Sequence, residues 1–207
     1  SLQDKVFRPG EPIAAKVMAK LVSHAYVKRV YLVDLHNTSI PGFFDIPCSH
    51  LTASELFAED VRSRFPVEDI VIASPDFGGL KRARQFAGLF DAPLVNIDKH
   101  RDLATGKVTA VGLHGKVTGK IAILFDDVIL SGGTVTEASD LLKEEGAKET
   151  HFYSTHGLFT GQALANLEKS SIDSVIVTNT LHQASLPSKI KVLDLAPMLA
   201  TTLEEWF

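Results

Sequence analysis

Short apolar runs alternate with stretches of helical periodicity along this 207-residue chain, and this alternation constrains the fold more than any other feature. The runs are almost continuously apolar, which is typical of strands covered on both faces. The predicted strands are 30–35, 70–74, 94–97, 121–125, 151–155, 175–179 and 192–195, and the predicted helices are 12–23, 53–65, 79–89, 135–145, 162–169 and 197–205. The pattern therefore predicts an α/β fold with a mainly parallel sheet flanked by helices.

Composition excludes several classes of protein. The net charge of −4, from 21 basic and 25 acidic residues, argues against a dedicated nucleic-acid binder. No run approaches the roughly 18 apolar residues that a membrane span needs, and no signal-peptide pattern is present. The single cysteine, Cys48, excludes an internal disulfide and a multi-cysteine metal site. We therefore expect a cytoplasmic protein that binds neither nucleic acid nor a membrane.

The strongest candidate site is the segment 121–134, which reads IAILFDDVILSGGT and leads directly into a predicted helix. Glycines let a backbone approach an anion closely, and the free N–H groups and dipole of a helix start favour a phosphate. Carboxylates at the end of the strand can accept hydrogen bonds from sugar hydroxyls or hold a metal bound to them. The candidate ligand-binding residues are Asp126, Asp127, Ser131, Gly132, Gly133 and Thr134.

Other interpretations of this segment are weaker. It lacks the Gly-Lys-Ser/Thr of a Walker A loop and the Gly-x-Gly-x-x-Gly of a dinucleotide fold. A plain strand-to-helix turn remains the alternative, with an aspartate acting only as a cap. Thr134 and Glu137 have the spacing of a capping box, which predicts that Thr134 is the N-cap residue of the helix.

Charged residues follow three other predicted strands. Asp76 lies in a glycine-containing turn after strand 70–74, a second turn suited to an anion. Asp34 and His36 are two residues apart at the end of strand 30–35, so strand alternation predicts that their side chains share a face. Lys99 and Arg101 begin a segment, 99–120, whose glycines and polar residues predict an irregular or hairpin-like excursion.

Several of these segments resemble known motifs. Residues 126–134, DDVILSGGT, resemble the ribose-phosphate-binding signature of type I phosphoribosyltransferase folds. Four more segments resemble the ribose-phosphate diphosphokinase (phosphoribosyl-diphosphate synthetase) family, in matching order across nearly the whole chain. They are DLHNTSIPGFFDIP at 34–47, SPDFGGLKR at 74–82, THGLF at 155–159 and VTNT at 177–180.

The resemblance implies a phosphoribosyltransferase-like fold and a specific reaction. Diphosphate passes from Mg-ATP to the 1-hydroxyl of ribose 5-phosphate, giving phosphoribosyl diphosphate and AMP. The family forms homo-oligomers and uses Mg²⁺. By resemblance, the loop 126–134 binds ribose 5-phosphate. The other implied roles are ATP binding by Gln3, Asp4, His36 and Asp76, contact with Mg²⁺ by His36, Asp76 and Asp34, and stabilisation of the transferring phosphoryl charge by Lys99 and Arg101.

The resemblance also implies a division of the chain and raises two alternatives. We expect residues 1–56 to be the remnant of an N-terminal domain in an N-terminally truncated chain. Residues 57–190 are then the ribose 5-phosphate-binding domain, and 191–207 a strand and helix packing on the first domain. Such a chain is expected to be weakly active or inactive alone.

Leu130 stands where many family members have an acid, which leaves open the alternative that this protein is a non-catalytic regulatory relative. A phosphoribosyltransferase that consumes phosphoribosyl diphosphate is the other alternative.

Overall fold

The computed structural model describes residues 3–101, 108–183 and 185–204, with side chains throughout except at 99–101 and 108–111. The chain divides into two compact units, Ser1–Ala53 and Ser54–Phe207. The predicted domain boundary is at residue 56, close to this division.

The first unit contains one α-helix and a small parallel sheet. Helix α1 spans Ala14–Ser23 and buries Ala15 and Ala19. Strand β1 (Val30–Val33) pairs in parallel with β2 (Cys48–Leu51), and a 3₁₀ turn at Ile40–Phe43 lies between them in sequence. The sequence analysis did not predict β2, because four residues reading CSHL form no apolar run.

The second unit is a seven-stranded sheet with helices on both faces. The strand order is β5-β4-β3-β6-β7-β8-β9, and every pair is parallel except β4 with β5. The strands are β3 (Ile70–Ser74), β4 (Leu94–Arg101), β5 (Val108–His114), β6 (Ile121–Ile129), β7 (Glu149–Gly157), β8 (Ser174–Thr178) and β9 (Ile190–Leu193). The helices are α2 (Ser54–Arg64), α3 (Leu80–Gly88), α4 (Gly133–Glu144), α5 (Ala163–Lys169) and α6 (Ala196–Glu204).

Alternate residues of the central strands face two different apolar layers. On one face Leu124 and Phe152 pack with Leu142 of α4 and Leu167 of α5. On the other face the side chains are aromatic. The ring of Phe125 stacks on Phe86 of α3 at 4.0 Å and meets Phe57 of α2 edge-on at 6.0 Å. Burial on both faces explains why β3 is buried at every position.

The predicted α/β fold with a mainly parallel sheet is confirmed, and one detail differs. The segment 99–120 is predicted as an irregular or hairpin-like excursion, and its residues 99–101 and 108–114 belong to the antiparallel strands β4 and β5, as the hairpin alternative predicts. Predicted strand 30–35 lies outside the large sheet, where it pairs with β2. Residues 191–207 begin within β9, the strand at one edge of the large sheet. Their packing on the first domain stays a prediction. No helix in the described part of the chain has the length and apolar character needed to cross a membrane.

A buried carboxylate ties helix α2 to the sheet. One oxygen of Asp60 accepts hydrogen bonds from the Tyr153 hydroxyl at 2.8 Å and from Arg64 at 3.4 Å, and the other accepts one from Lys191 at 2.5 Å. Burial alone would raise the pKa of Asp60, but the hydrogen bonds from Lys191 and Tyr153 outweigh it and lower that pKa. Asp60 is therefore held as a carboxylate, and its stabilising effect is lost as pH falls through the lowered pKa.

We expect Asp60→Ala to lower the free energy of unfolding by about 3 kcal/mol, because it leaves the buried Tyr153 hydroxyl without its acceptor and removes the carboxylate that pairs with Arg64 and Lys191. Tyr153→Phe should cost only about 1 kcal/mol, since Asp60 keeps its two cations. Urea denaturation measures both, with the exposed Glu59→Ala on the same helix as control. Equal costs for Asp60→Ala and Glu59→Ala would contradict the assigned role.

Candidate ribose-phosphate site

The loop between β6 and α4 has the shape of an anion site. Gly132 is the N-cap residue of α4 and has a left-handed backbone, with φ of +77°. A Cβ atom there would lie 3.3 Å from Cγ of Leu167, so both conformation and space require glycine. The N–H of Thr136 donates to the Gly132 carbonyl at 2.9 Å, while the earlier N–H groups of the first turn have no intrahelical acceptor.

The predicted capping box is wrong in this loop. Helix α4 begins at Gly133, one residue before Thr134, and its N-cap residue Gly132 has no side chain to accept a hydrogen bond. Thr134 therefore lies inside the first turn, where its side chain is exposed like that of Ser131. The change suits a ligand site, because first-turn N–H groups without a side-chain cap are available to an anion.

A neighbouring turn supports the loop from the end of β7. The N–H of Leu158 donates to the Ile129 carbonyl and the N–H of Thr160 to the Leu130 carbonyl, each at 3.0 Å. Gly157 is required in this turn, because an added Cβ would lie 2.6 Å from the ring of Phe159. These backbone hydrogen bonds fix the start of the β6–α4 loop, called the phosphate loop below, relative to the sheet.

The two aspartates lie within β6, and not just after it as predicted. The strand continues to Ile129, with Asp126 opposite Ser154 of β7. Nη1 of Arg82, on α3, donates to Oδ1 of Asp126 and to Oδ1 of Asp127, the second at 3.0 Å. The side chain of Asp127 is 2% exposed and that of Asp126 is 18% exposed, so one cation faces two largely buried acids.

The electrostatic environment places the ionisation of Asp126 near neutral pH. Burial and the neighbouring charge of Asp127 raise the pKa of Asp126 to about 7, although Arg82 acts in the opposite direction. A largely buried carboxylate whose charge changes near neutrality is typical of a functional site.

The turn after β3 lies directly against this aspartate pair. Oδ1 of Asp76 accepts a hydrogen bond from the N–H of Gly79 at 2.9 Å, and the Ser74 hydroxyl donates to the Asp76 carbonyl at 2.6 Å. A Cβ at Gly79 would lie 3.5 Å from Oδ1 of Asp126. Since β3 and β6 are adjacent parallel strands, their carboxyl ends bring Asp76 and the phosphate loop to one edge of the sheet.

The predicted phosphoryl-stabilising residues lie on the next strand of the same sheet. Lys99 and Arg101 occupy the last positions of β4, opposite Ala110 and Val108 of β5. The pairing register shifts between Asp98 and Lys99. The backbones of both residues are described, whereas their side chains and residues 102–107 lie outside the described part of the structure.

The predicted ATP and metal residues of the first unit are Gln3 and Asp4, which precede α1, and Asp34 and His36, which follow β1. Asn37 donates to Oδ2 of Asp4 at 2.5 Å, and this hydrogen bond, with smaller effects that include nearby His36, lowers the pKa of Asp4. The backbone of Gln3 accepts a hydrogen bond from the N–H of Ala15 at 3.0 Å. Of these predicted residues, Asp4 and His36 are therefore close enough for the charge of one to affect the other.

The predicted relation between Asp34 and His36 is wrong, because β1 ends at Val33 and Asp34 has a left-handed φ of +39°. Strand alternation therefore does not position the two side chains. Oδ2 of Asp34 accepts the N–H of Ala53 at 2.9 Å, so part of its function is structural.

Within the described residues, no group of three or more His, Cys, Asp or Glu side chains is arranged to hold a metal ion. A Mg²⁺ ion carried by nucleotide phosphates needs only one or two protein carboxylates, because phosphates and water supply its other ligands. The donor chemistry of Asp76 suits this arrangement. Its half-buried carboxylate uses Oδ1 to bind the turn, and Oδ2 accepts no hydrogen bond from the described part of the chain.

Arg82 is the site residue that sequence reasoning did not select. Lys81 and Arg82 follow the Asp76 turn, and either could equally belong to a solvated helix face. The available signal was spacing, since Arg82 lies one helical turn after Gly79 and α3 starts beside the aspartates. Only the packing of α3 against β6 shows which of the two cations reaches the acids.

Comparisons with known proteins agree with this geometry. Residues 70–207 match the family described as the phosphoribosyl synthetase-associated domain. The chain is 37% identical over 203 residues to a ribose-phosphate pyrophosphokinase of Thermotoga maritima, and 40% identical over 205 residues to one of Hyphomonas neptunium. Each alignment covers 97% of this chain, which spans 64% and 65% of the length of those relatives.

A solved structure gives the same result. The crystal structure of phosphoribosylpyrophosphate synthetase from Mycobacterium smegmatis superposes with a TM-score of 0.88 at 37% identity, covering 99% of this chain and 67% of that chain. The matched region includes the phosphate loop, the aspartate pair and the Asp76 turn. The chain therefore belongs to the ribose-phosphate pyrophosphokinase family, also called the phosphoribosylpyrophosphate synthetases.

Proposed function

We propose that this chain is part of a ribose-phosphate diphosphokinase that binds ribose 5-phosphate at the β6–α4 loop. The reaction forms a bond between the 1-hydroxyl oxygen of the sugar and the β-phosphorus of ATP. The bond from that phosphorus to the oxygen bridging to the α-phosphate breaks, AMP leaves, and the hydroxyl proton is released. The observation that supports this proposal most is the left-handed Gly132 turn, which places the uncapped first turn of α4 shortly after the two aspartates of β6.

The loop and the aspartates divide the recognition of the sugar phosphate. The N–H groups at the start of α4, with the hydroxyls of Ser131 and Thr134 and the Gly132–Gly133 backbone, bind the 5-phosphate. Asp126 and Asp127 accept hydrogen bonds from ribose hydroxyls. Many family members have a further acid at the position of Leu130, whose side chain cannot accept a hydrogen bond. In this chain Asp126 and Asp127 therefore bind the ribose hydroxyls without that acid.

The ATP-binding residues of this proposal come from the family resemblance. Gln3, Asp4, His36 and Asp76 are the proposed ATP-binding residues, and His36, Asp76 and Asp34 are those that would hold Mg²⁺. When bound, this ion neutralises phosphate charge. Lys99 and Arg101 are proposed to stabilise the charge on the transferring group, because positioned cations supply most of the catalysis in phosphoryl transfer. The predicted homo-oligomer is part of the same proposal.

One observation favours a second candidate, a regulatory relative that binds active subunits without catalysis. Leu130 is 39% exposed at the loop where an acid would bind sugar. An intact protein that binds active subunits and forms no AMP would identify such a relative. Diphosphate release that depends on a nucleobase would identify a phosphoribosyltransferase instead.

We expect isothermal titration calorimetry to show binding of ribose 5-phosphate to this chain and its loss in Gly132→Ala. The alanine must adopt a left-handed backbone costing about 1–2 kcal/mol, so affinity should fall by roughly tenfold or more. Gly88→Ala is the matched control, because an added Cβ there meets nothing within 4 Å. A wild-type chain without affinity for ribose 5-phosphate would refute the proposed site.

Binding of ribose 5-phosphate should strengthen as pH rises through about 7, where Asp126 becomes a carboxylate able to accept a sugar hydroxyl. One coupled ionisation changes affinity by at most about tenfold per pH unit below its pKa. Calorimetry between pH 5.5 and 8.5 measures the step. Asp126→Asn should remove the part of the step near pH 7 and keep the part at about pH 6 that comes from the second ionisation of the ligand's own phosphate. A variant that keeps the wild-type profile would assign the ionisation near pH 7 to another group.

Lys99→Ala should lower AMP formation from ATP, ribose 5-phosphate and Mg²⁺ by roughly 100-fold or more, because it removes a charge that stabilises the transferring phosphoryl group. The assay uses the intact protein, with the exposed Lys116→Ala as control for loss of a lysine after the hairpin. An unchanged rate in Lys99→Ala, with Lys116→Ala also unchanged, would exclude Lys99 from catalysis.

A further inference from the structure

Arg82 is positioned to control one oxygen of the aspartate pair. Oδ1 of Asp126 accepts two hydrogen bonds, one from Arg82 and one from the N–H of Asp127 at 2.9 Å. Within the described part of the chain, Oδ2 of Asp126 accepts none. Two donors on one carboxylate oxygen restrict rotation of the group, so the second oxygen keeps a fixed direction.

The surroundings leave this carboxylate few other orientations. The side chains of Arg82 and Asp126 are 23% and 18% exposed, and Asp127 is 2% exposed. Gly79 of the β3–α3 turn faces this carboxylate, and a Cβ added there would lie 3.5 Å from Oδ1 of Asp126. Without a cation, two adjacent buried acids would repel each other, and one of them would turn away or take up a proton.

We propose that Arg82 is a positioning residue of the sugar site, which holds Asp126 through Oδ1 so that Oδ2 accepts a ribose hydroxyl. This inference rests on the proposed binding of ribose 5-phosphate. Arg82 acts through Asp126 and touches no substrate atom. It also belongs to α3, whereas the phosphate is bound by the start of α4, so Arg82 affects sugar recognition and leaves phosphate recognition unchanged.

The test compares two ligands and four proteins. Ribose 5-phosphate and inorganic phosphate are titrated into the wild-type chain, Arg82→Met, Arg82→Lys and Arg84→Met. Arg84 is the matched control, an exposed arginine on the same helix. Inorganic phosphate probes the loop without a sugar hydroxyl, so a loss confined to ribose 5-phosphate separates positioning of Asp126 from general disruption of the fold.

Arg82→Met should bind ribose 5-phosphate about 10- to 100-fold more weakly, while its affinity for phosphate stays within about threefold of wild type. Arg82→Lys should bind ribose 5-phosphate about three- to tenfold more weakly than wild type, since an ammonium group reaches one carboxylate but lacks the guanidinium fork. Arg84→Met should match wild type with both ligands.

Three results would overturn the inference. Wild-type affinity of Arg82→Met for ribose 5-phosphate shows that Asp126 needs no positioning, and an equal loss with both ligands shows a general structural role. A wild-type chain that binds phosphate but not the sugar phosphate refutes the proposed function together with the inference. If Arg82→Met does not fold, Arg82→Lys decides, because a weakening restricted to ribose 5-phosphate supports positioning and its absence contradicts it.

Discussion

The site depends on one backbone constraint, the left-handed turn at Gly132 that connects a buried strand to the start of helix α4. This turn directs the first N–H groups of the helix toward the carboxyl edge of the sheet, where a dianion can use them and the helix dipole. The packing of Leu167 against Gly132 and the hydrogen bonds from the β7 turn maintain it. The loop is therefore preorganised by the sheet and by α5, and its sequence alone does not determine its shape.

Electrostatics complements this geometry. The N–H groups at the start of α4 and Arg82 of α3 create positive potential at the carboxyl edge of the sheet. Asp126 and Asp127 add two acidic side chains to the same region. Arg82 offsets part of the repulsion between Asp126 and Asp127, but burial still brings the pKa of Asp126 to about 7. Such a group is sensitive to any ligand that donates a hydrogen bond, because binding favours the charged form. Under the proposed function, sugar binding and ionisation of the pair are therefore linked.

Local sequence determined some of these features and tertiary packing determined others. The segment DDVILSGGT was identifiable because a buried strand, two acids and two glycines are consecutive in the chain. Strand β5 was missed because its threonine, glycine and histidine interrupt any apolar run, and pairing with β4 determines its structure. Arg82 was not distinguished from Lys81, since the direction of a helical side chain depends on how the helix packs. The predicted N-cap Thr134 failed because α4 starts two residues earlier, after a left-handed turn at Gly132.

Membership of the pyrophosphokinase family agrees with the arrangement of the site. The phosphate loop follows β6, Asp76 follows β3, and Lys99 and Arg101 lie at the end of β4, and these three strands are neighbours in one sheet.

The most direct test of the central claim is a crystal structure of this chain with ribose 5-phosphate. We predict that the 5-phosphate lies within hydrogen-bonding distance of the N–H groups at 131–134, with a ribose hydroxyl at Oδ2 of Asp126. A sugar phosphate bound elsewhere, or a loop whose N–H groups point away from it, would contradict the account.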